Sequence, residues 1–216
     1  MADENKIGLL GDVINSREFV DQGKLFHSIQ EGLNWLNEQL KPNQPAQLMT
    51  GDEFQVAYND VSSALLASTL ISLRLVDTCR FRFGIGAGSI IADHRYSPAA
   101  QSGTAWWRAR EAIDEIKSIQ KTAKRWPASL NTRFVGDGGD EDHYINAFLI
   151  CRDQILNRLD SKDARITLGL FLNESQSDLS RELQINQPTI SSRQRANGPS
   201  ALLRAHESLS RLRERP

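Results

Sequence analysis

Two aspartates in turn-forming segments are the first candidates for chemistry in this chain. Asp12 ends the apolar run KIGLLGDV, and Asp52 lies in MTGDEFQVAY, where a Gly-Asp-Glu turn separates two apolar runs. The second pattern predicts a β-hairpin. If the two strands are neighbours, the carboxylates converge at one sheet edge and form a site that suits Mg²⁺ or Mn²⁺. The alternative is that Asp12 caps a turn and Asp52 is ordinary hairpin chemistry.

The elements that must position these carboxylates follow from the hydrophobic pattern. It predicts a strand, a helix, a hairpin, a helix, a strand, a helix and a strand at residues 6–13, 18–40, 47–58, 60–76, 80–91, 105–119 and 131–135. This β-α-β-β-α-β-α-β order predicts an α+β fold of the ferredoxin-like type, with an antiparallel sheet and helices on one face.

Composition restricts the class of protein and its partners. The 216 residues carry a net charge of −1 and 39% hydrophobic residues, as soluble domains do. No apolar run is long enough for a membrane span and no signal peptide is evident, so we expect a cytoplasmic protein with no membrane partner. Cys79 and Cys151 are expected to be reduced, buried thiols. Residues 161–216 hold nine basic and six acidic residues, a balance that favours nucleic-acid binding.

The N-terminal motifs resemble the palm of class III nucleotide cyclases and diguanylate cyclases. The resemblance rests on the Asp after the first strand, the Gly-Asp hairpin, the strand RFGIGAGSI and the segment GTAWWRAR. It implies that Arg110 is a phosphate-binding cation. The metal candidates are Asp12 and Asp52. The implied nucleotide-binding residues are Ser16, Arg17, Gly51, Glu53 and Arg110, and the catalytic candidates are Asp12, Asp52, Glu53 and Arg110.

The sequence departs from cyclases at two places. Thr50 stands where diguanylate cyclases have the first of two glycines, and tryptophans occupy the region of the cyclase asparagine. The nucleotide could therefore be bound without being turned over. In their order, the motifs GDVINSR, TGDEFQ, RFGIGAGSI and GTAWWRAREA resemble the SatD family of small bacterial proteins, over most of residues 6–115 and more loosely beyond. This resemblance implies a fold more directly than an activity.

Several residues keep two interpretations. Gly84, Gly86 and Gly88 either let a phosphate approach or let a helix pack closely on the sheet, and Arg110 either binds phosphate or forms a structural ion pair. Trp106 and Trp107 are interpreted as core and rim. The acidic run from Asp137 to Asp142 is predicted to lie at the first turn of a helix, where the dipole favours acids.

The C-terminal segment resembles a helix-turn-helix. Leu179 and Leu183 are predicted to face inward, residues 184–186 to form a tight turn, and residues 187–195 to form the helix that enters the major groove of double-stranded DNA. The DNA-binding candidates are Gln187, Thr189, Ser192, Arg193 and Arg195, with the two arginines as phosphate anchors. The alternative is a helical bundle used for dimer or peptide contacts. A homodimer would strengthen DNA binding.

The sequence thus predicts a palm at residues 1–136, a connector helix at 137–160 and a helix-turn-helix domain at 161–216. The function expected is a nucleotide-responsive regulator that binds DNA and holds a nucleotide through Mg²⁺. One alternative is a nucleotidyltransferase or cyclase that uses Asp12 and Asp52 as metal ligands. Another is a palm that serves only as a dimerisation scaffold.

Overall fold

The computed structural model describes residues 6–49, 51–92, 101–122, 124–196 and 198–211. These residues form a mixed α+β fold with a five-stranded sheet and eight α-helices. The strands are β1 Lys6–Val13, β2 Gln44–Leu48, β3 Glu53–Tyr58, β4 Phe81–Gly88, β5 Ile91–Ala92, β6 Gln101–Ser102 and β7 Thr132–Val135. The helices are α1 Gln22–Leu40, α2 Val61–Arg74, α3 Thr104–Thr122, α4 Asp140–Leu156, α5 Ser161–Phe171, α6 Gln176–Leu183, α7 Gln187–Ala196 and α8 Pro199–Arg211.

The main sheet has the strand order β2-β3-β1-β4-β7. The first four strands pair antiparallel, as predicted, whereas β7 pairs parallel with β4. A parallel neighbour requires a crossover connection, and α3 supplies it. The expectation that all helices lie on one face is therefore wrong for α3, which covers the other face.

Side chains alternate between two environments along the central strand β1. Leu9 and Val13 enter the main core with α1 and α2. Leu10 packs against Trp106 and Ile113 of α3 in a separate, smaller cluster. Because the side-chain period of a strand is two residues, Asp12 lies on the same face as Leu10 and points toward α3. The strand alternation therefore decides which helix can reach the predicted metal ligand.

Glycines in β4 allow α3 to lie directly on the sheet. A Cβ atom at Gly84 would collide with the backbone carbonyl oxygen of Ala109, and one at Gly86 with the carbonyl oxygen of Ala105. The observed contacts favour the close-packing interpretation of this glycine-rich strand. Trp106 is buried and Trp107 is exposed, which confirms their interpretation as core and rim.

The main hydrophobic core continues beyond the sheet into the C-terminal helices. It joins residues of β1 and α2 to Ala164 and Leu168 of α5, and Leu209 of α8 packs against it. Buried Arg152 on α4 donates hydrogen bonds to Asp153 and to Ser68 of α2. The described C-terminal helices α5 and α8 therefore share packing with the sheet-bearing part of the chain.

Helix caps follow the sequence signals. Asp60 and Ser175 each accept a hydrogen bond from a backbone N–H in the first turn of α2 and α6; from the sequence alone, the cap candidates are Asn59 or Asp60, and Ser175 or Ser177. The first turn of α4 carries three acids, Asp140, Glu141 and Asp142, as predicted.

Of the two free cysteines, Cys79 is buried but Cys151 is exposed, contrary to expectation. None of the helices in the described ranges has the length and apolar character needed to cross a membrane.

Candidate functional site

Three charged side chains form a row across the sheet at the end of β1. Asp12 is the register partner of Glu53 on β3 and, on its other side, of Arg82 on β4. All three occupy the face that α3 covers. Like charges directly opposite each other destabilise a strand pair, so the Asp12–Glu53 pair needs cations close by.

Helix α3 and strand β4 supply those cations. Arg110 of α3 donates hydrogen bonds from both terminal nitrogens to the Glu53 carboxylate, and its Nη1 lies 2.6 Å from Glu53 Oε2. Lys117 Nζ and Arg82 Nη1 both contact Asp12 Oδ2, at 3.1 and 3.2 Å. The hydrogen bonds with Glu53 raise the pKa of Arg110 above its ordinary value. Each acid of the strand pair is therefore neutralised separately.

A charged cleft of about 350 Å³ opens at the end of this row. We call it the charged cleft; it is lined by Asp12, Val13, Asn15, Ser16, Arg17, Glu18, Asp52, Arg82 and Lys117. Four of the residues singled out in the sequence thus share one cleft, namely Asp12, Ser16, Arg17 and Asp52. The two carboxylates, Asp12 and Asp52, lie close together because the strand ends that carry them are neighbours, as the sequence predicted.

The other predicted site residues of the N-terminal part lie elsewhere. Gly51 has a φ of +81° in the hairpin turn, a left-handed conformation that suits glycine. Glu53 and Arg110 bind each other and do not line the charged cleft. In the structure, Arg110 thus forms the ion pair that was the alternative to phosphate binding.

Arg82 and Lys117 were missed by sequence reasoning. Arg82 shares the strand alternation of Gly84, which places it on the α3 face. Lys117 follows Arg110 by about two helical turns, so the two cations lie on the same side of α3. Both positions could have been read from periodicity once α3 was assigned to this face.

The donor set of the charged cleft restricts the kind of metal binding. Among the described residues, no group of three or more His, Cys, Asp or Glu side chains could hold a metal ion. Asp12 and Asp52 supply two carboxylates, and one Asp12 oxygen already meets two cations. Mg²⁺ is often held by one or two carboxylates together with water and substrate phosphates. The residues present therefore fit an ion that arrives with phosphate, and do not form a closed cage.

A second candidate site lies in the C-terminal helices. Helix α6 ends at Leu183, and the following residue, Gln184, has a φ of +55° that reverses the chain. Helix α7 then begins at Gln187. Asn186 accepts a hydrogen bond from the Thr189 backbone N–H at 2.9 Å and caps α7. Leu179 and Ile190 are fully buried, with Ile166 of α5, in the small core between these helices. The predicted turn and the inward position of Leu179 are confirmed.

The five DNA-binding candidates differ in exposure. Gln187, Ser192 and Arg195 are exposed on α7, and Thr189 is half-buried. Arg193 is also half-buried, because its Nη1 lies 2.9 Å from Asp163 Oδ1 and 3.3 Å from Asp160. The outer surface of α7 is therefore short and polar, with Arg195 as the arginine that projects from it, whereas Arg193 ties α7 to the start of α5.

Comparison with protein families gives one assignment. The chain matches the model described as the SatD family over residues 6–212, which covers both candidate sites. Comparison with curated proteins finds no similar sequence.

Proposed function

The chain belongs to the SatD family, and we propose that it is a DNA-binding regulator whose sheet-bearing part binds a nucleotide. The observation that carries the DNA-binding part is the arrangement of α6 and α7. A tight turn separates two short helices, the inner side of the second helix is buried at Ile190, and its outer side presents Gln187, Ser192 and Arg195. A helix that reads the major groove needs this division between a packing side and a polar side.

Charge on the C-terminal helices supports a modest electrostatic contribution. Arg165 binds Glu174 and Glu182, and Arg193 binds Asp160 and Asp163. Cations that are paired within the protein contribute less to phosphate binding than unpaired ones. In this proposal Arg195 is the principal phosphate anchor on α7, and Arg193 fixes the angle of the helix.

The nucleotide part of the proposal rests on the charged cleft. Arg17, Arg82 and Lys117 offer cations to phosphate oxygens, while Asp12 and Asp52 offer carboxylates. The strand order β2-β3-β1-β4, with α1 and α2 on one face, supports a ferredoxin-like, cyclase-like palm. In the proposal, Asp12 and Asp52 would hold a Mg²⁺ that enters with the nucleotide and neutralises its phosphate charge.

DNA binding is tested by selection from a random-sequence duplex pool, followed by fluorescence anisotropy at several salt concentrations. We expect Arg195→Ala to weaken binding and to reduce the slope of log K against log salt by about one unit. Arg125→Ala, an exposed arginine between α3 and β7, is the matched control and should behave as wild type. If the pool yields no duplex with salt-dependent binding, DNA binding is rejected.

The second candidate function is a nucleotidyltransferase or nucleotide cyclase, which the shared cleft of Asp12 and Asp52 favours. Incubation with each nucleoside triphosphate and Mg²⁺ or Mn²⁺, followed by chromatography, tests it. A new product that is absent with Asp52→Asn would identify an enzyme. Metal-dependent binding that requires Asp52 but gives no product would identify a sensor.

A further inference from the structure

An apolar cleft lies beside the charged cleft, at the turn that follows β1. We call it the apolar cleft; its volume is about 580 Å³, and it is lined by Ile14, Asn15, Glu18, Phe19, Val20, Val76, Thr78, Cys79 and Arg80. Asn15 and Glu18 line both clefts. Asn15 and Glu18 therefore form the junction between the two clefts.

The two clefts differ in chemistry. The charged cleft presents cations and carboxylates, whereas much of the apolar cleft is lined by aliphatic and aromatic side chains such as Phe19 and Val76. Binding sites for small molecules typically combine an apolar lining with a few polar groups that fix orientation. A ligand with an anionic end and a flat apolar end would match both parts at once.

The apolar cleft has a fixed rim. Gln22 Nε2 donates hydrogen bonds to the backbone oxygens of Ser16 and Phe19, at 2.7 and 3.2 Å, and so holds the loop that carries Val20. Val20 is fully exposed, with a relative accessibility of 104%, so folding does not use its side chain. A held loop that presents an unused aliphatic side chain beside an apolar cleft can contribute contact to a ligand at little ordering cost.

The floor of the apolar cleft is chemically inert. Cys79 is buried, and this burial raises the pKa of its thiol to about 12, so the group stays protonated and acts as a small apolar surface. Arg80 Nη1 is engaged by Asn157 Oδ1 at 2.7 Å. The apolar cleft therefore offers mainly packing. Its polar groups include the Thr78 hydroxyl and, at the junction, Asn15 and Glu18, where Asn15 Nδ2 donates a hydrogen bond to Glu18 Oε2 at 3.2 Å.

We propose that the apolar cleft receives the aromatic base of the nucleotide whose phosphates occupy the charged cleft, with Asn15 and Glu18 contacting the sugar between them. This inference rests on the proposed nucleotide binding and identifies its ligand as a nucleotide with a base, in contrast to a sugar phosphate or a polyphosphate. Phosphate contacts supply charge attraction, and the base supplies apolar burial and preference among ligands.

The test compares nucleoside triphosphates with inorganic tripolyphosphate by isothermal titration calorimetry in Mg²⁺. We expect the wild-type protein to bind at least one nucleoside triphosphate roughly tenfold more tightly than tripolyphosphate, which corresponds to the burial and stacking of one base. Val20→Ser removes apolar contact, and Thr78→Tyr fills the cleft. Both should reduce this preference toward equality while leaving tripolyphosphate affinity unchanged.

Two further variants separate the parts of the site. Ile91→Ser also removes an exposed aliphatic side chain, but away from the clefts, and should keep the tenfold preference. Arg17→Ala should weaken both ligands by the same factor. Equal binding of nucleoside triphosphates and tripolyphosphate by the wild type, or an undiminished preference in Val20→Ser and Thr78→Tyr, would overturn the base site alone. If neither ligand binds, the proposed nucleotide site and the base site fail together.

Discussion

Asp12 and Glu53 lie directly opposite each other on neighbouring strands, and each is neutralised by its own cationic partners. An acidic pair in cross-strand register is unfavourable by itself. The structure offsets this repulsion with Arg110 at Glu53 and with Arg82 and Lys117 at Asp12. Glu53 is accounted for by folding, whereas Asp12 also lines the charged cleft, and the two roles can be separated by mutation.

The Glu53–Arg110 pair is expected to be a structural contact of modest strength. Arg110→Ala should lower the free energy of unfolding by about 1 kcal/mol, because the pair is bidentate but partly exposed and leaves Glu53 facing Asp12. A double-mutant cycle with Glu53→Gln, measured by urea unfolding at low and high salt, gives the coupling energy. Purely additive effects would contradict the contact, and coupling that salt does not reduce would contradict its electrostatic origin.

Because α3 packs closely on β4, adding a single methyl group to a glycine of β4 should strongly lower the free energy of unfolding. Gly84→Ala places a Cβ against the Ala109 carbonyl oxygen, which belongs to rigid backbone, so we expect a loss of about 3 kcal/mol or more in stability. Gly23→Ala in α1 is the control, since a Cβ there meets no atom closer than 3.4 Å and alanine favours helix. Equal unfolding midpoints for the two variants would show that α3 can shift freely.

Arg152 is expected to be among the most sensitive positions of the chain. Its side chain is fully buried and pairs with Asp153, which also accepts hydrogen bonds from the backbone N–H groups of Asn131 and Thr132. Arg152→Met should cost about 3 to 5 kcal/mol, because it leaves a buried carboxylate without its cation. Chemical denaturation measures this loss, with Arg125→Met as the exposed control. A loss no greater than that of the control would contradict the prediction.

Buried His206 predicts a loss of stability in mild acid. Burial, and secondly the charge of Arg152, lower the pKa of His206 from 6.5 to about 3. Above pH 6.5 the imidazole is neutral in both the folded and the unfolded chain, so it contributes no pH dependence. Below pH 6.5 the unfolded chain binds a proton that the folded chain excludes. By pH 5 this difference should cost about 2 kcal/mol.

Urea unfolding at pH 7.5 and pH 5.0 checks this sign and size. His206→Gln should lose less stability between the two pH values than the wild type does. His27→Gln, which alters an exposed histidine on α1, should lose as much as the wild type. An identical loss in all three proteins would assign the acid sensitivity to other groups.

Much of the element order could be predicted, because each strand and helix carries its own hydrophobic period and cap. Cap candidates within one or two residues of Asp60 and Ser175 marked helix starts, and the Gly-Asp-Glu turn marked the β2–β3 hairpin. The placement of α3 could not be predicted in the same way, since the amphipathic pattern of a helix does not say which face of a sheet it covers. The spacing of glycines in β4 indicated the face on which α3 packs. The same spacing also agreed with a strand that lets a phosphate group approach its backbone, so it did not decide between the two.

The candidate site could be predicted only in part, because some of its residues depend on how strands and helices are placed relative to each other. Asp12 and Asp52 could be brought together from strand adjacency alone. Arg82 and Lys117 could not, because their role depends on the register of β4 against β1 and on the position of α3. For Arg193 the sequence predicted too much. Its charge and its position on α7 suit a phosphate anchor, but it pairs with Asp160 and Asp163 at the start of a helix that lies far away in sequence.

The core that joins the sheet to α5 and α8 bears on how the chain melts and how it transmits a signal. A fragment of residues 161–216 would expose Ala164 and Leu168 to water. The remaining sheet-bearing fragment would expose the part of the core that packs against these two residues. Heat should therefore unfold both parts in one cooperative transition, without a surviving fragment. If the proposed nucleotide binds at the sheet edge, this shared core predicts slower amide hydrogen exchange in α7 as well, although α7 does not line the charged cleft.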